Sequence, residues 1–489
     1  MQSIKIIFLY IASGLVFHQL KSQTNMNYDE SWKKIDILIG EKDLPRSALT
    51  EVEKIYDRAR KDKNHAQQIK ALVYMSRIVV ATEEGGDTAI ISKMESEIRS
   101  AQAPQKNILQ SITAHLYWQY LQNNRWEYYG RTNTEPSGKK DIDTWTIDDF
   151  HHKISALFLA SLENQKLLQR TRLENFEPLI TKGNSRELRP TLYDLLAHRA
   201  LDYFEDDEKD ITKPAYAFTI EENAAFDPIA NFVHHSFLTK DTASGLYKAL
   251  RIYQDLLSFH REDKSPEALM DADLRRLRFV YRYAIMPEKD EVYRMALEHL
   301  VSQYGEQPVT AGARYLLAWF YYQKGEAYDE IKGNEELKYA FRKAKEIAEA
   351  TVSLFPKTEG AQNCIGLLNT LLRKSLALQT EKVNLPGEPF RTLVEYKNLT
   401  SCYFRIVPVN NKLKEQLGNS YEAAYWNKIA GLKAVRVWQQ QLPQTDDLRE
   451  HSVEIKIDSL PVGEYLLLGS VHKDFGREDN LLAARYFFV

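Results

Sequence analysis

The sequence predicts a mainly α-helical chain with a C-terminal β domain: an irregular, tetratricopeptide-like helical-repeat solenoid followed by an antiparallel immunoglobulin-like β-sandwich. Three observations carry this prediction. Apolar residues recur at spacings of three and four almost throughout residues 24–380. The period then falls to two over residues 381–489. Only 20 Gly and 16 Pro occur in 489 residues, few for a large all-β protein and ample for a helical one.

Composition narrows the class. Lys plus Arg at 65 against Asp plus Glu at 68 leaves a net charge of −3, with 44% hydrophobic and 27% charged residues. That is the profile of ordinary globular protein, not of a disordered, collagenous or polytopic membrane chain. So small a net charge gives no electrostatic basis for nucleic-acid binding, which relies on clustered Lys and Arg. The one long apolar run, residues 4–17, follows Met1-Gln2-Ser3 and closes in polar residues 18–23. It is too short to span a bilayer and has the flanks of a signal peptide, residues 1–23, with Ser22 at the cleavage site. Near the expected mature start there is no Cys to carry a lipid anchor. A soluble, exported, periplasmic or envelope-associated chain is expected, with no membrane span.

The helices follow in order. Trp32, Ile35 and Ile39 form one apolar stripe, Leu49, Val52 and Tyr56 a second, and Ile69, Leu72, Met75 and Val79 a third. Asp29-Glu30-Ser31 reads as a helix start, Lys61-Asp62-Lys63-Asn64 as a break and Glu84-Gly85-Gly86-Asp87 as an end. Between Asn123 and Asp149 the pattern lapses. Asp141, Asp143, Asp148 and Asp149 invite a calcium-loop reading, but Trp145 stands where a third acidic ligand should be. A connector is the better reading, with Thr146 as N-cap, Asp149 at the third helical position and a following helix that buries Ile154, Leu157, Phe158 and Leu162.

Residues 290–379 are the most regular. Val292, Ala296, Leu300 and Tyr304 step by four, then Ala313, Leu317 and Tyr321 up to Gly325. Leu337, Phe341, Ala344, Ala348, Val352 and Phe355 follow up to Pro356, then Ala361, Ile365, Leu368 and Leu372. Small residues where helices meet suggest degenerate tetratricopeptide repeats, although residues 326–336 lengthen one loop. After Thr380, Val453, Ile455 and Ile457 alternate with charged or polar residues as in a half-buried strand. Further strands read at 390–396, 402–407, 432–439, 465–471 and 484–489, with Pro408 at a strand end, which suits a sandwich. Pro386 and Pro389 mark 382–389 as a linker between the two periods.

Chemistry-bearing patterns are sparse. Cys364 and Cys402 could bridge in an exported chain, but Cys402 alternates with Phe404 and Ile406, and Cys364 has helical spacing with Leu368 and Leu371. Both read as separate buried thiols. His151-His152 is an adjacent pair whose rings diverge on a helix, His234-His235 lies near Asp227 in an aromatic-rich connector with equally unsuitable spacing, and no His-Glu-x-x-His is present. Gly-x-Ser-x-Gly, Walker and dinucleotide glycine motifs are missing, and Ser375 and Ser470 have no partners that mark a nucleophile. No catalytic, metal or cofactor residue is assigned. The aromatic groups Tyr117-Trp118, Trp126 with Tyr128-Tyr129, and 319–322 are either a recognition face or, more simply, core.

Several stretches together resemble a known family: Ser31-Trp32-Lys33-Lys34-Ile35-Asp36, Leu44-Pro45-Arg46-Ser47-Ala48-Leu49, Asp141-Ile142-Asp143-Thr144-Trp145-Thr146, and the run from Arg189-Pro190-Thr191-Leu192-Tyr193-Asp194 to His198-Arg199-Ala200-Leu201. They are similar to the N-terminal helical region of exported alpha-2-macroglobulin-family proteins of Bacteroidetes-type bacteria. Residues 399–407 and 460–468 look like the first macroglobulin-like β domain of that family. The resemblance implies a protease-trapping or envelope-defence role. Its thioester chemistry does not carry over, because Cys-Gly-Glu-Gln is required, whereas Cys364 precedes Ile365-Gly366-Leu367 and Cys402 precedes Tyr403-Phe404-Arg405. No bait-like segment is recognised before Val489, and no family site transfers residue by residue.

The expectation is therefore a signal peptide (1–23), a helical-repeat domain (24–380) and a macroglobulin-like domain (381–489) in an exported, non-catalytic binding or scaffold protein. Expected partners are proteins: remaining macroglobulin-like domains, a protease, or a second copy through the C-terminal strand. Residues 485–489 end that strand without a turn or polar tail, so something is expected to cover it. The alternatives are a periplasmic adaptor built on the helical repeats alone, and a hydrolase using His198, Glu205 or Asp206.

Overall fold

The computed structural model describes residues 22–129, 142–181, 183, 186–206, 215–476 and 479–489. Its first compact unit, residues up to Ala225 with Ile229–Ile285, contains α1 (Ser22–Gly40), α2 (Pro45–Lys61), α3 (His65–Thr82), α4 (Gly86–Ser100), α5 (Gln105–Tyr128), α6 (Ile147–Ser161), α7 (Gln165–Arg170), α8 (Leu192–Phe204), α9 (Ile229–Phe232), α10 (Gly245–His260) and α11 (Glu267–Tyr283). The signal-peptide expectation rests on residues 1–23, of which 1–21 lie outside the described residues. So do residues 130–141, with the Asp141 that opened the calcium-loop reading.

Each helix in this unit packs on its sequence neighbour from α1 to α6, and α8 touches α5, α6, α7 and α10. The predicted stripes are the buried faces: α2 buries Val52 and Tyr56 with Ala48, Ile55 and Ala59, and α3 buries Ile69, Leu72 and Met75. Asp29-Glu30-Ser31 does not start a helix but lies within α1. Tyr28 and Trp32, four residues apart and both buried, keep one stripe running through the polar triplet. Thr146 is the N-cap predicted for α6. Its hydroxyl accepts from the Asp149 N–H while the Asp149 carboxylate takes the Thr146 N–H. Ile154, Leu157, Phe158 and Leu162 are buried as expected.

The second unit comprises Phe226–Pro228 and Met286–Val489. It holds α12 (Lys289–Tyr304), α13 (Ala311–Glu326), α14 (Glu335–Lys338), α15 (Ala340–Leu354) and α16 (Glu359–Leu372). Helix α13 packs on α12, α15 and α16. The small residues sit at the close approaches. Ala318, Ala344 and Ala348 are fully buried beside Cys364, and a Cβ on Gly360 would lie 2.4 Å from the Ala311 carbonyl. Gly325 lies in the last turn of α13, where the Phe341 ring occupies the space that a Cβ would need, 2.4 Å away.

Strands β1 (Ser375–Thr380), β2 (Phe390–Lys397), β3 (Ser401–Val409), β4 (Arg436–Gln441), β5 (Glu450–Ile457), β6 (Glu464–Ser470) and β7 (Leu482–Phe488) form two antiparallel sheets, β1-β2-β5 and β4-β3-β6-β7. The chain is thus mainly helical with a C-terminal antiparallel β-sandwich, the predicted class. Tyr396, Cys402, Phe404, Ile406, Ile455, Ile457 and Leu467 lie in the core between the sheets. Two short helices, α17 (Asn411–Leu417) and α18 (Ala423–Ala430), were not expected; they cover the outer face of the larger sheet with Leu417, Tyr425 and Ile429. Pro408 lies inside β3, not beyond it. β4 pairs with β3 only as far as Ile406, so a missing N–H at Pro408 interrupts no ladder on that side.

The predicted linker is part of the sandwich. Helix α16 ends at Leu372 and β1 begins at Ser375. The Phe488 N–H donates to the Lys382 carbonyl at 2.8 Å, the Asn384 N–H to Phe488 at 2.8 Å and the Gly387 N–H to Leu460 at 3.3 Å. The sequence placed the domain boundary after Thr380, whereas the two compact units divide the main chain between Ile285 and Met286. A physical reason is Arg449, just before β5. Its guanidinium donates to the carbonyls of Gly325 (2.7 Å), Leu337 (2.9 Å) and Lys338 (3.2 Å), and it lies 4.5 and 4.6 Å from the Tyr328 and Phe341 ring centroids. The Asn398 amide donates to Leu371 and Arg373 carbonyls at 2.9 and 3.1 Å. Residues of the β region thereby finish the ends of α13, α14 and α16.

Limited proteolysis should leave 382–389 intact while cutting elsewhere, since its backbone is hydrogen-bonded into the sandwich; a main cut there would contradict this packing. Cys364 and Cys402 are free and fully buried, and burial pushes their thiols up to about 11 and about 12. A maleimide should therefore label neither in the native chain and both after unfolding, read by intact mass.

Candidate functional site

Helix α8 carries the densest group of titratable side chains. Thr191 precedes it as N-cap: its hydroxyl accepts from the Asp194 N–H at 3.3 Å, and Asp194 Oδ2 takes the Thr191 N–H and hydroxyl, each at 2.8 Å. The other oxygen, Oδ1, lies 2.8 Å from His260 Nε2, and His260 Nδ1 lies 2.6 Å from Asp263 Oδ2. Asp194 is 1% and His260 2% exposed, so this contact between α8 and α10 is dry.

The hydrolase candidates lie on the same helix and its C-terminal end. Arg275 of α11 donates from Nη1 to His198 Nδ1 at 2.9 Å, from Nη2 to Asp202 at 2.7 Å, and from Nε and Nη2 to the two Glu205 oxygens at 3.1 and 3.2 Å. Tyr253 donates its hydroxyl to the same Glu205 carboxylate, and Tyr283 to the Glu205 carbonyl. His198 and Glu205 thus share one guanidinium; Asp206 follows Glu205 beyond the helix cap and is half-exposed.

This arrangement suits structure better than proton transfer. A guanidinium can only donate, so His198 Nδ1 is an acceptor and the ring proton is on Nε2, 3.8 Å from Asp271 Oδ2. Burial first, then the charges of Arg189 and Arg275, push His198 down to about 2. The lone pair a general base would use is held by a permanent cation. His260 is constrained in the opposite sense, with an anionic oxygen at each ring nitrogen.

The remaining histidines do not converge. His151 Nδ1 meets the Tyr203 hydroxyl at 2.9 Å while His152 is exposed. His235 meets Glu222 at 2.7 Å, and His234 meets Arg261 at 3.3 Å. Among the described residues no group of three His, Cys, Asp or Glu could hold a metal ion. Nor is any helix among them long and apolar enough to cross a membrane. Tyr117, Tyr128 and Phe320 are core residues, whereas Trp126 is 86% exposed, so the predicted aromatic groups divide between core and surface.

The first unit also has an open groove of about 490 Å³, lined by Leu159, Leu162, Tyr247, Lys248, Arg251 and Ile252 among others. The Lys248 ammonium donates to Ser155 Oγ at 2.8 Å and to the Ala243 carbonyl at 2.9 Å. It is a positioned cation, its pKa lowered by burial. Sequence patterns could not find these groupings, since Arg275 is 77 residues from His198, and Lys248 is 93 from Ser155.

At the C-terminal strand, Phe487 is 1% exposed, with its ring 5.6 Å from Tyr465 and 5.3 Å from Phe390. The Val489 N–H and carbonyl pair with Gly463, each at 3.0 Å. The sandwich itself therefore covers part of what was expected to need a partner; Phe488 stays 38% exposed.

The fold class is thus a helical stack with a β-sandwich, and the candidate site is a closed ion-pair network. No family model matches the chain, and a comparison with curated proteins returns no match.

Replacing Arg275 by Met should lower folding stability by about 2–4 kcal/mol, because Glu205 and Asp202 would lose their counter-charge. The upper part of the usual range is excluded, since the Arg275 side chain retains 18% exposure. Urea unfolding of the full chain measures the change, and an unaltered midpoint would show the cluster to be dispensable.

Proposed function

We propose that the chain is an exported, non-catalytic binding or scaffold protein, organised like the N-terminal part of a bacterial alpha-2-macroglobulin-type protease inhibitor. The observation that carries the non-catalytic reading is the engagement of the nominated acid–base groups: Arg275 holds His198 Nδ1 and both Glu205 oxygens. The binding reading is supported by the architecture, in which stacked helices pass within two residues into an antiparallel sandwich, the order that the family resemblance implies. Export rests on the apolar run at 4–17 and its polar flanks.

The partner class is protein: further macroglobulin-like domains, a protease, or a second copy. Neither cysteine sits in a thioester motif, and both thiols are buried. Capture by this chain would be non-covalent.

The test uses the purified full chain with casein, peptide and glycan substrates, and separately with active-site-blocked serine and metalloproteases. The expected outcome is no turnover, together with a protease complex on size exclusion that denaturant dissociates. Turnover abolished by His198→Gln or Glu205→Gln would overturn the non-catalytic reading. Failure to bind any of the blocked proteases would overturn the inhibitor-like reading.

A further inference from the structure

We propose that His260 is a protonation-controlled latch between α8 and α10, closed by its imidazolium at low pH and weakened as the pH rises. The geometry requires the charged ring. Nε2 is 2.8 Å from Asp194 Oδ1 and Nδ1 is 2.6 Å from Asp263 Oδ2. An ionised carboxylate only accepts, so both ring nitrogens must donate, which only the imidazolium can do.

The position of the ring links two helix ends. His260 is the last residue of α10, where unpaired carbonyls favour a cation. Asp194 is the third residue of α8, and its second oxygen already closes the α8 capping box. The groups facing the ring are Asp194 from α8 and Asp263 from the turn after α10. Behind them lie His198, held neutral by Arg275, then Asp271 of α11 with its partner Arg189. Among the described residues no Lys or Arg pairs with either carboxylate that His260 binds, so its proton is their main counter-charge.

Burial opposes the charge on His260, but hydrogen bonds and attraction from Asp194, then Asp263, outweigh it and raise the ring above its ordinary value of 6.5. A raised folded pKa fixes the sign: the stabilisation is complete below the unfolded value and is lost as pH rises through the folded value. Once the proton leaves, one ring nitrogen turns a lone pair toward a carboxylate oxygen less than 3 Å away. The α8 cap through Thr191 survives, but the tether to α10 loses its charge pairing and one of its two hydrogen bonds. Helix α8 also packs on α5, α6 and α7, so its loosening reaches most of the first unit's centre.

The experiment follows histidine ring ¹⁵N signals of the full chain between about pH 5.5 and pH 9.5. It also follows hydrogen exchange of 192–204 at both ends of that range, corrected for intrinsic rates. The expected result is a doubly protonated His260 near pH 6, titrating above 6.5, with α8 protection falling on the order of tenfold for each unit by which its pKa is raised. His260→Gln should remove both the signal and the pH step. Should that variant not fold, Asp263→Asn serves, because the Asp263 side chain is 37% exposed; its His260 midpoint should fall by about one unit. A neutral ring near pH 6, an unchanged midpoint in Asp263→Asn, or equal α8 protection at both pH extremes would overturn the latch.

Discussion

The Asp194 carboxylate is the constraint on which the first unit's architecture turns. One oxygen completes the opening turn of α8 with Thr191, and the other accepts from His260 at the end of α10. A buried carboxylate left without donors is costly, so the position of α8 along its axis and its register against α10 are fixed together. Helix α8 also contacts α5, α6 and α7, so fixing its position bears on those helices as well.

The second unit solves a related problem with the opposite charge. Arg449 donates from the strand side to three carbonyls at the C-terminal ends of α13 and α14 while its flat face covers Tyr328 and Phe341. Lysine could not reproduce this, having a point charge where the site needs a planar fork. In each unit, then, a polar side chain at one element meets the end of a helix distant in sequence. The periodic apolar stripes give helices something to bury, and these polar contacts decide which ends meet.

That division explains what could be read from the sequence. Apolar stripes, the Thr146–Asp149 capping box, the alternation in β5 and the burial of both cysteines depend on neighbours within a few residues, and all are visible in the chain order. β1 was hidden because Leu368, Leu372 and Leu376 continue a step of four across the helix end, although Leu376 and Leu378 alternate in the strand. α17 and α18 are too short for a periodic signal. The presumed linker carries Pro386 and Pro389 as a linker would, yet its backbone pairs with residues some 70 to 106 positions away, through Leu460 and Phe488. Of the network at α8 the sequence nominated only His198 and Glu205, and nothing local announces Arg275, Asp194 or His260.

The two buried histidines of α8 and α10 show why a cluster rich in acids and bases need not be an active site. His198 faces a guanidinium and is held neutral; His260 faces two carboxylates and is held charged. A general acid or base must change state near the working pH with its proton exposed to a substrate. His198 has its lone pair occupied, and His260 cannot give up its proton without leaving a buried anion unpaired. The same pairings join α8 to α10 and α11. Substrate chemistry at this network would require Arg275 or Asp263 to move first, which makes structural service the lower-energy use of these residues.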